Sequence, residues 1–237
     1  VYKRQPSMSG TKPRTVVNLA SFNFTGMVEA PEIRECAIKT LREYGVGSCS
    51  PPGFYGTSDM HLKLERDIAS FLGKENSIVY SQAFSTINSV IPAFCKRGDY
   101  IVADAGISFA GQKAIQLSRS NVYWYNHNDM QSLEDVLQLV CEQQERSKEA
   151  LKRRFIFTEG IFESDGAMVD LPKLVELKER YRFRLFLDET YSFGTMGATG
   201  RGLTELQNVA PDKVDFIIGS LATTLAAGGG FCAASDY

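Results

Sequence analysis

The chain has 237 residues, 43% hydrophobic and 23% charged, enough for one large domain with a substantial buried core. A net charge of −2, a pI near 5.8 and the lack of a basic stripe argue against a nucleic-acid surface; Lys152-Arg153-Arg154 reads as the solvated approach to a strand. Five scattered cysteines without CxxC spacing fit a reduced, cytosol-facing protein, and His61 and His127 lie too far apart for a zinc set, so no metal is expected.

In chain order, Pro31 sits at a helical first turn, with Ile33, Ala37, Leu41 and Tyr44 on one face and Gly45 as the stop. A Gly-, Pro- and Ser-rich loop follows to Thr57, then a helix from Asp59 to Leu72. From there short apolar runs alternate with helices. Strands are expected at Ser77 to Tyr80, Tyr100 to Asp104, Asn121 to Tyr125, Phe155 to Glu159, Arg184 to Asp188, Val214 to Gly219 and Gly230 to Ala234. Helices are expected up to Ile91, up to Leu117, from an Asn128-Asp129 cap to Arg146, and from Leu171 to Tyr181. This alternation predicts an α/β fold whose mostly parallel sheet is flanked by helices. No run of about eighteen apolar residues appears, so no membrane span is expected within this stretch. Val1 to Gln5 reads as a cloning or translation remnant and the last strand simply stops, which leaves room for an anchoring segment elsewhere.

In such sheets ligands lie beyond the carboxyl ends of the strands. Here those ends carry Asp104, Glu159, Asp188 and Gly219-Ser220. A carboxylate in Asp188's position can hold a cationic ring nitrogen, the device by which pyridoxal-phosphate (PLP) enzymes keep the cofactor an electron sink. A metal ligand or a helix cap needs the same residue type, and Asp188 alone does not separate them.

The surrounding segments narrow the choice. Glu159-Gly160-Ile161-Phe162-Glu163-Ser164-Asp165-Gly166 with Leu171 resembles the "EGVYSMDGD…PL" signature of the α-oxoamine synthases. Asp188 to Gly194 through Gly200-Arg201-Gly202 resembles their "DEAHSxGxxGxxGRG", and His127-Asn128-Asp129 with Leu133-Glu134 their "HND…LE". Gly56-Thr57, His61 and Leu64-Glu65 match "GTxxxHxxLE"; Gly219-Ser220-Leu221 through Gly229-Gly230-Phe231 matches "GTLSKALGSSGGF". Five ordered motifs make the resemblance specific. It implies a fold-type-I PLP transferase large domain with the C-terminal small domain largely absent: an N-terminal segment and helix over 1–50, and the large domain over 51–237.

The match also exposes departures. Gapless alignment puts Thr223 where the family has its Schiff-base lysine, and a hydroxyl cannot form an imine. The family's ring-stacking histidine becomes Ser108 and its second cofactor-facing histidine becomes Tyr191; Ala83 and Phe84 replace Gly-Tyr at the phosphate-binding helix start. Asp188 survives, read as a structural remnant. Thr223, Ser108, Tyr191, Asp188, Ala83 and Phe84 are therefore expected to form a degenerate cofactor site with no catalytic residue and no covalently held cofactor.

Asn18 through Thr57, and above all Tyr44 to Cys49 and Gly53 to Thr57, is similar to a non-catalytic branch of the family. That resemblance implies a heterodimer in which a catalytic second subunit carries PLP and joins L-serine to palmitoyl-CoA, with loss of CO₂, giving 3-ketosphinganine. It implies endoplasmic-reticulum membrane association through segments not present here, with this domain facing the cytosol. The loop residues Cys49, Phe54, Tyr55, Gly56 and Thr57 are expected at the partner's site, Cys49 as a packing residue and not a nucleophile. His61 and His127 are expected to be structural. Two alternatives stand beside this reading: an active homodimeric α-oxoamine synthase, and a regulatory binding module of another complex.

Overall fold

A computed structural model describes residues 17, 19–147 and 152–236. Val1 to Gln5 and Asn18 lie outside the described residues. Helices α1 (Pro31–Tyr44) and α2 (Asp59–Leu72) precede a run of strands and helices. These are β1 (Asn76–Tyr80), α3 (Ala83–Phe94), β2 (Tyr100–Asp104), α4 (Phe109–Ser118), β3 (Asn121–Tyr125), α5 (Met130–Arg146) and β4 (Arg154–Glu159). Then come α6 (Leu171–Tyr181), β5 (Arg184–Asp188), the short α7 (Leu203–Leu206), β6 (Phe216–Ser220) and β7 (Gly230–Ala234).

The seven strands form one sheet in the order β1-β7-β6-β5-β4-β2-β3. All neighbours pair parallel except β7, which runs antiparallel to both β1 and β6. The sequence alternation predicts a mostly parallel sheet, and β7 is the exception it does not reveal. Strands β2 and β6 are buried along their whole length, as are β4 after Arg154 and β5 after Arg184, and this is why they read as apolar runs. Phe155, Phe186 and Phe216 stack across β4, β5 and β6 at 5.1 and 4.5 Å between centroids, each pair contributing about 0.5–1.5 kcal/mol beyond area burial.

Side-chain caps fix where the helices begin. Asp129 accepts from the Gln131 and Ser132 amides at the start of α5, and Asp170 accepts from Lys173 N at the start of α6. Ser58 and His61 cap α2 reciprocally. Because β1, β2, β4, β5 and β6 point the same way, their carboxyl ends and the starts of α3 and α4 open on one edge of the sheet. Helix α1 contributes nothing to the core: none of its residues is buried, and Ile33, Leu41 and Tyr44 stay exposed. No described helix is long and apolar enough to cross a membrane.

Candidate functional site

On that edge lies a cavity of about 170 Å³. The start of α3 supplies Ala83 and Phe84, and the start of α4 supplies Ser108. The end of β4 and the turn after it supply Glu159, Ile161 and Glu163, while β5 and its following turn supply Asp188, Thr190 and Tyr191. Five of the six residues expected at a degenerate site therefore converge. The sixth, Thr223, stands beside the cavity and donates its hydroxyl to the Thr190 carbonyl at 2.7 Å.

The polar side chains among these are already engaged with their own chain. Ser108 Oγ accepts from Gly111 N at 3.3 Å, which makes it the N-cap of α4. Asp188 Oδ1 accepts from both the amide and the hydroxyl of Thr190, at 2.9 and 2.6 Å. Glu159, in register with Asp188 on the neighbouring strand, accepts from the Ser108 and Glu163 amides at 2.6 and 3.1 Å. Burial raises the pKa of both carboxyls, and in Asp188 the neighbouring Glu159 charge raises it further. Burial, and then the Glu163 carboxylate, push the Tyr191 phenol up as well. Glu189, the next residue after Asp188, is buried away from the cavity; it accepts from Ser192 Oγ and Leu203 N, and burial lifts it to about 6.

The N-terminal segment reaches the same edge. Phe22 packs against Tyr191 at 5.5 Å, and Thr25 Oγ1 donates to the Thr224 carbonyl at 2.8 Å. Phe22, Phe24, Ile161, Phe162, Tyr191 and Met196 line an adjoining apolar groove of about 590 Å³.

The loop expected at a partner's site is held by its own hydrogen bonds. Phe54 N and Gly56 N donate to the Pro51 carbonyl, Tyr55 N to Ser50 Oγ, and Thr57 Oγ1 to the Pro52 carbonyl. Gly56 is buried against this turn, where a Cβ would overlap the Ser50 carbonyl. Cys49 is exposed and sits in the left-handed region at φ 54°. Phe54 and Tyr55 are 73% and 79% exposed and touch only edge to edge, at 4.4 Å. They are not an intrachain core contact.

Of the four strand ends, two line the cavity. Glu159 and Asp188 face the cavity and Ser220 is buried nearby, but Asp104 does not line it; its carboxylate holds Gly106 N, Asn128 N and the His127 ring. His61 is structural, its Nδ1 accepting from Ser58 N at 3.2 Å in the α2 cap. Ile161, Glu163 and Thr190 also line the cavity, positions that no residue pattern in the chain marks except at Glu163. Glu163 carried a signal, since it replaces the serine of the "EGVYS" motif it otherwise resembles.

This sheet order, with its site at the strand ends, defines an aminotransferase-type architecture. The profile of the aminotransferase class I and II family matches residues 14–237, and the chain belongs to that family. Within it, the chain is 50% identical over 222 residues to Serine palmitoyltransferase 1 of Saccharomyces cerevisiae, covering 93% of this chain and 40% of that protein. It is 45% identical over 219 residues to Long chain base biosynthesis protein 1 of Arabidopsis thaliana, covering 92% and 45%. The chain thus spans less than half the length of these curated relatives. Among solved structures it resembles a serine palmitoyltransferase from S. paucimobilis with bound PLP-myriocin aldimine, at TM-score 0.82 and 22% identity, covering 90% of this chain and 52% of that one. It also resembles an 8-amino-7-oxononanoate synthase from Francisella tularensis, at TM-score 0.75 and 21% identity, covering 92% and 58%. These two likenesses show the fold.

The side chains present do not fit PLP. Thr223 cannot form an imine, and its hydroxyl is taken up by Thr190. Among the described residues no lysine or arginine lines the cavity to meet a phosphate ester, and Glu163 adds a further acidic group to its wall. Lys213, the one lysine after Asp188 in sequence, is bonded to Glu179 instead. The cavity volume also falls below the ~300–1,000 Å³ usual for small-molecule sites.

Proposed function

We propose that this chain is the large-domain portion of a non-catalytic subunit of serine palmitoyltransferase. It pairs with a catalytic second subunit that holds PLP on its own lysine and joins L-serine to palmitoyl-CoA to give 3-ketosphinganine. This chain contributes stability and the loop around Cys49, Phe54, Tyr55, Gly56 and Thr57 to the shared site. The complex is anchored in the endoplasmic-reticulum membrane through other segments, with this domain facing the cytosol.

One observation carries the reading: in a chain whose relatives are named Serine palmitoyltransferase 1 and Long chain base biosynthesis protein 1, the lysine position is Thr223, hydrogen-bonded to its own fold. Phe54 and Tyr55 support the pairing, because a loop ordered by its own backbone keeps two large aromatics in water until a partner covers them. The test is turnover of L-serine and palmitoyl-CoA by the full-length pair. Thr223→Ala is expected to leave kcat within about twofold, whereas replacing the partner's cofactor lysine abolishes it. Loss of turnover in Thr223→Ala overturns the proposal.

A further inference from the structure

We infer that His127 is a charged clamp that sets the position of one wall of the cavity and is released as pH rises. The wall is the turn between Gly160 and Val169, a tight hairpin closed by Val169 N to Gly160 O, Phe162 N to Ala167 O and Gly166 N to Phe162 O. Its outward-pointing residues reach both hollows: Ile161 and Glu163 line the cavity, and Phe162 and Gly166 join them along the apolar groove.

The base of the turn is tied to the sheet by Gly160 N to the Asp188 carbonyl, Glu163 N to Glu159 and the Gln207 side-chain amide to the Val169 carbonyl, and its tip is held from the His127 side. His127 Nδ1 lies 2.7 Å from Asp104 Oδ1, and Nε2 lies 3.1 Å from Asp165 Oδ2 on the tip of the turn. Carboxylates only accept, so the ring donates through both nitrogens, which only the imidazolium can do. The ring also packs edge-on against Phe162 at 4.5 Å. Asn128, held at φ 53°, donates from its side chain to the Met168 carbonyl. Ser164 Oγ adds a longer bond to Gly106 O. His127 and Asn128 therefore grip both arms of the hairpin.

The charge on the ring is set by its surroundings. Asp104, wholly buried at the end of β2, is anchored by Gly106 N and Asn128 N and cannot swing away. Asp165 comes from the turn, and its other oxygen accepts from Ala167 N. From β3 the nearest titratable group is Tyr125, whose phenol burial keeps neutral. At the start of α5, Asp129 is committed to the Gln131 and Ser132 amides. Among the described residues, two carboxylates and no opposing cation thus face the imidazole. Its pKa is raised above the ordinary value, first by the hydrogen bond to Asp104. The raised folded-state pKa means the clamp is fully present below the ordinary imidazole pKa and is lost as pH rises through the raised one.

Hydrogen exchange on the full-length chain, read by mass spectrometry between pH 6 and 9 and corrected for intrinsic rates, tests this. Amides of the 160–169 turn are expected to lose protection with rising pH, by about tenfold for each unit by which the imidazole pKa is raised. Amides of α6, away from the carboxylates at the strand ends, serve as the control and are expected to fall less than those of the turn; a merely structural role would move both alike. Asp165→Asn changes only an exposed tip and keeps an acceptor, so the turn is retained but its protection is expected to fall at lower pH than in the wild type. His127→Gln is expected to give low protection at every pH. Flat protection in the wild type, or one and the same midpoint in wild type and Asp165→Asn, overturns the clamp.

Discussion

The cavity at the strand ends and the loop after α1 hold residues of opposite fate. In the cavity, polar groups that stand where the family keeps cofactor ligands are turned to the fold: Ser108 caps α4, Thr223 ties its turn to Thr190, and Asp188 organises Thr190. In the loop, backbone and glycine order the path, while Phe54, Tyr55 and Cys49 are left outside. The difference teaches that a catalytic set can be lost without loosening the sheet that carried it. What such a chain needs for a partner is then found where its side chains satisfy nothing of its own.

That contrast can be broken most forcefully in the loop. Replacing both Phe54 and Tyr55 with Ala is expected to weaken binding of the catalytic subunit by about 2–4 kcal/mol, measured by dissociation of the complex on dilution. The chain's own thermal unfolding should hardly change, since neither ring is in its core. Equal loss of fold stability would mean the aromatics belong to this chain alone.

The next largest effect is expected at Asp188. In the folded chain its carboxyl pKa is raised, so the native state binds more protons than the unfolded chain, and stability falls as pH climbs above the ordinary carboxylate range. Asp188→Asn keeps an acceptor for Thr190 and removes the buried charge. It should stabilise the chain by on the order of 1–2 kcal/mol at pH 8 and by nothing near pH 3, in urea unfolding. Were Asp188 the partner of a bound cation, the same substitution would destabilise at pH 8.

The smallest effect sharpens the cavity side. Ser108→Ala removes the cap of α4 and is expected to cost about 1 kcal/mol of stability while leaving turnover of the pair unchanged. A turnover defect without a stability defect would return Ser108 to the chemistry.

Much of this architecture was legible in the chain. The apolar runs of β4 and β5 and the caps at Asp129 and Asp170 mark their elements directly, because burial on both faces and unpaired helix amides each leave a local residue signature. The direction of β7 was not legible: an apolar pentapeptide does not record which way its neighbours run. At the site, Thr223, Ser108 and Tyr191 stood out by their departures from a motif. The placement of Asp104 did not, since a strand-terminal carboxylate reads the same whether it faces a cavity or a histidine beyond the end of the neighbouring strand β3. The double carboxylate bridge through His127 reaches 23 positions back to Asp104 and 38 forward to Asp165, and no spacing rule announces it.

The central claim is that the cofactor lysine belongs to another chain. Borohydride reduction of the PLP-loaded complex, followed by peptide mapping, tests it most directly. The pyridoxyl group is expected on a lysine of the catalytic subunit and on no residue of this chain, and this chain treated alone is expected to yield none. A pyridoxyl-lysine within this chain would contradict the account.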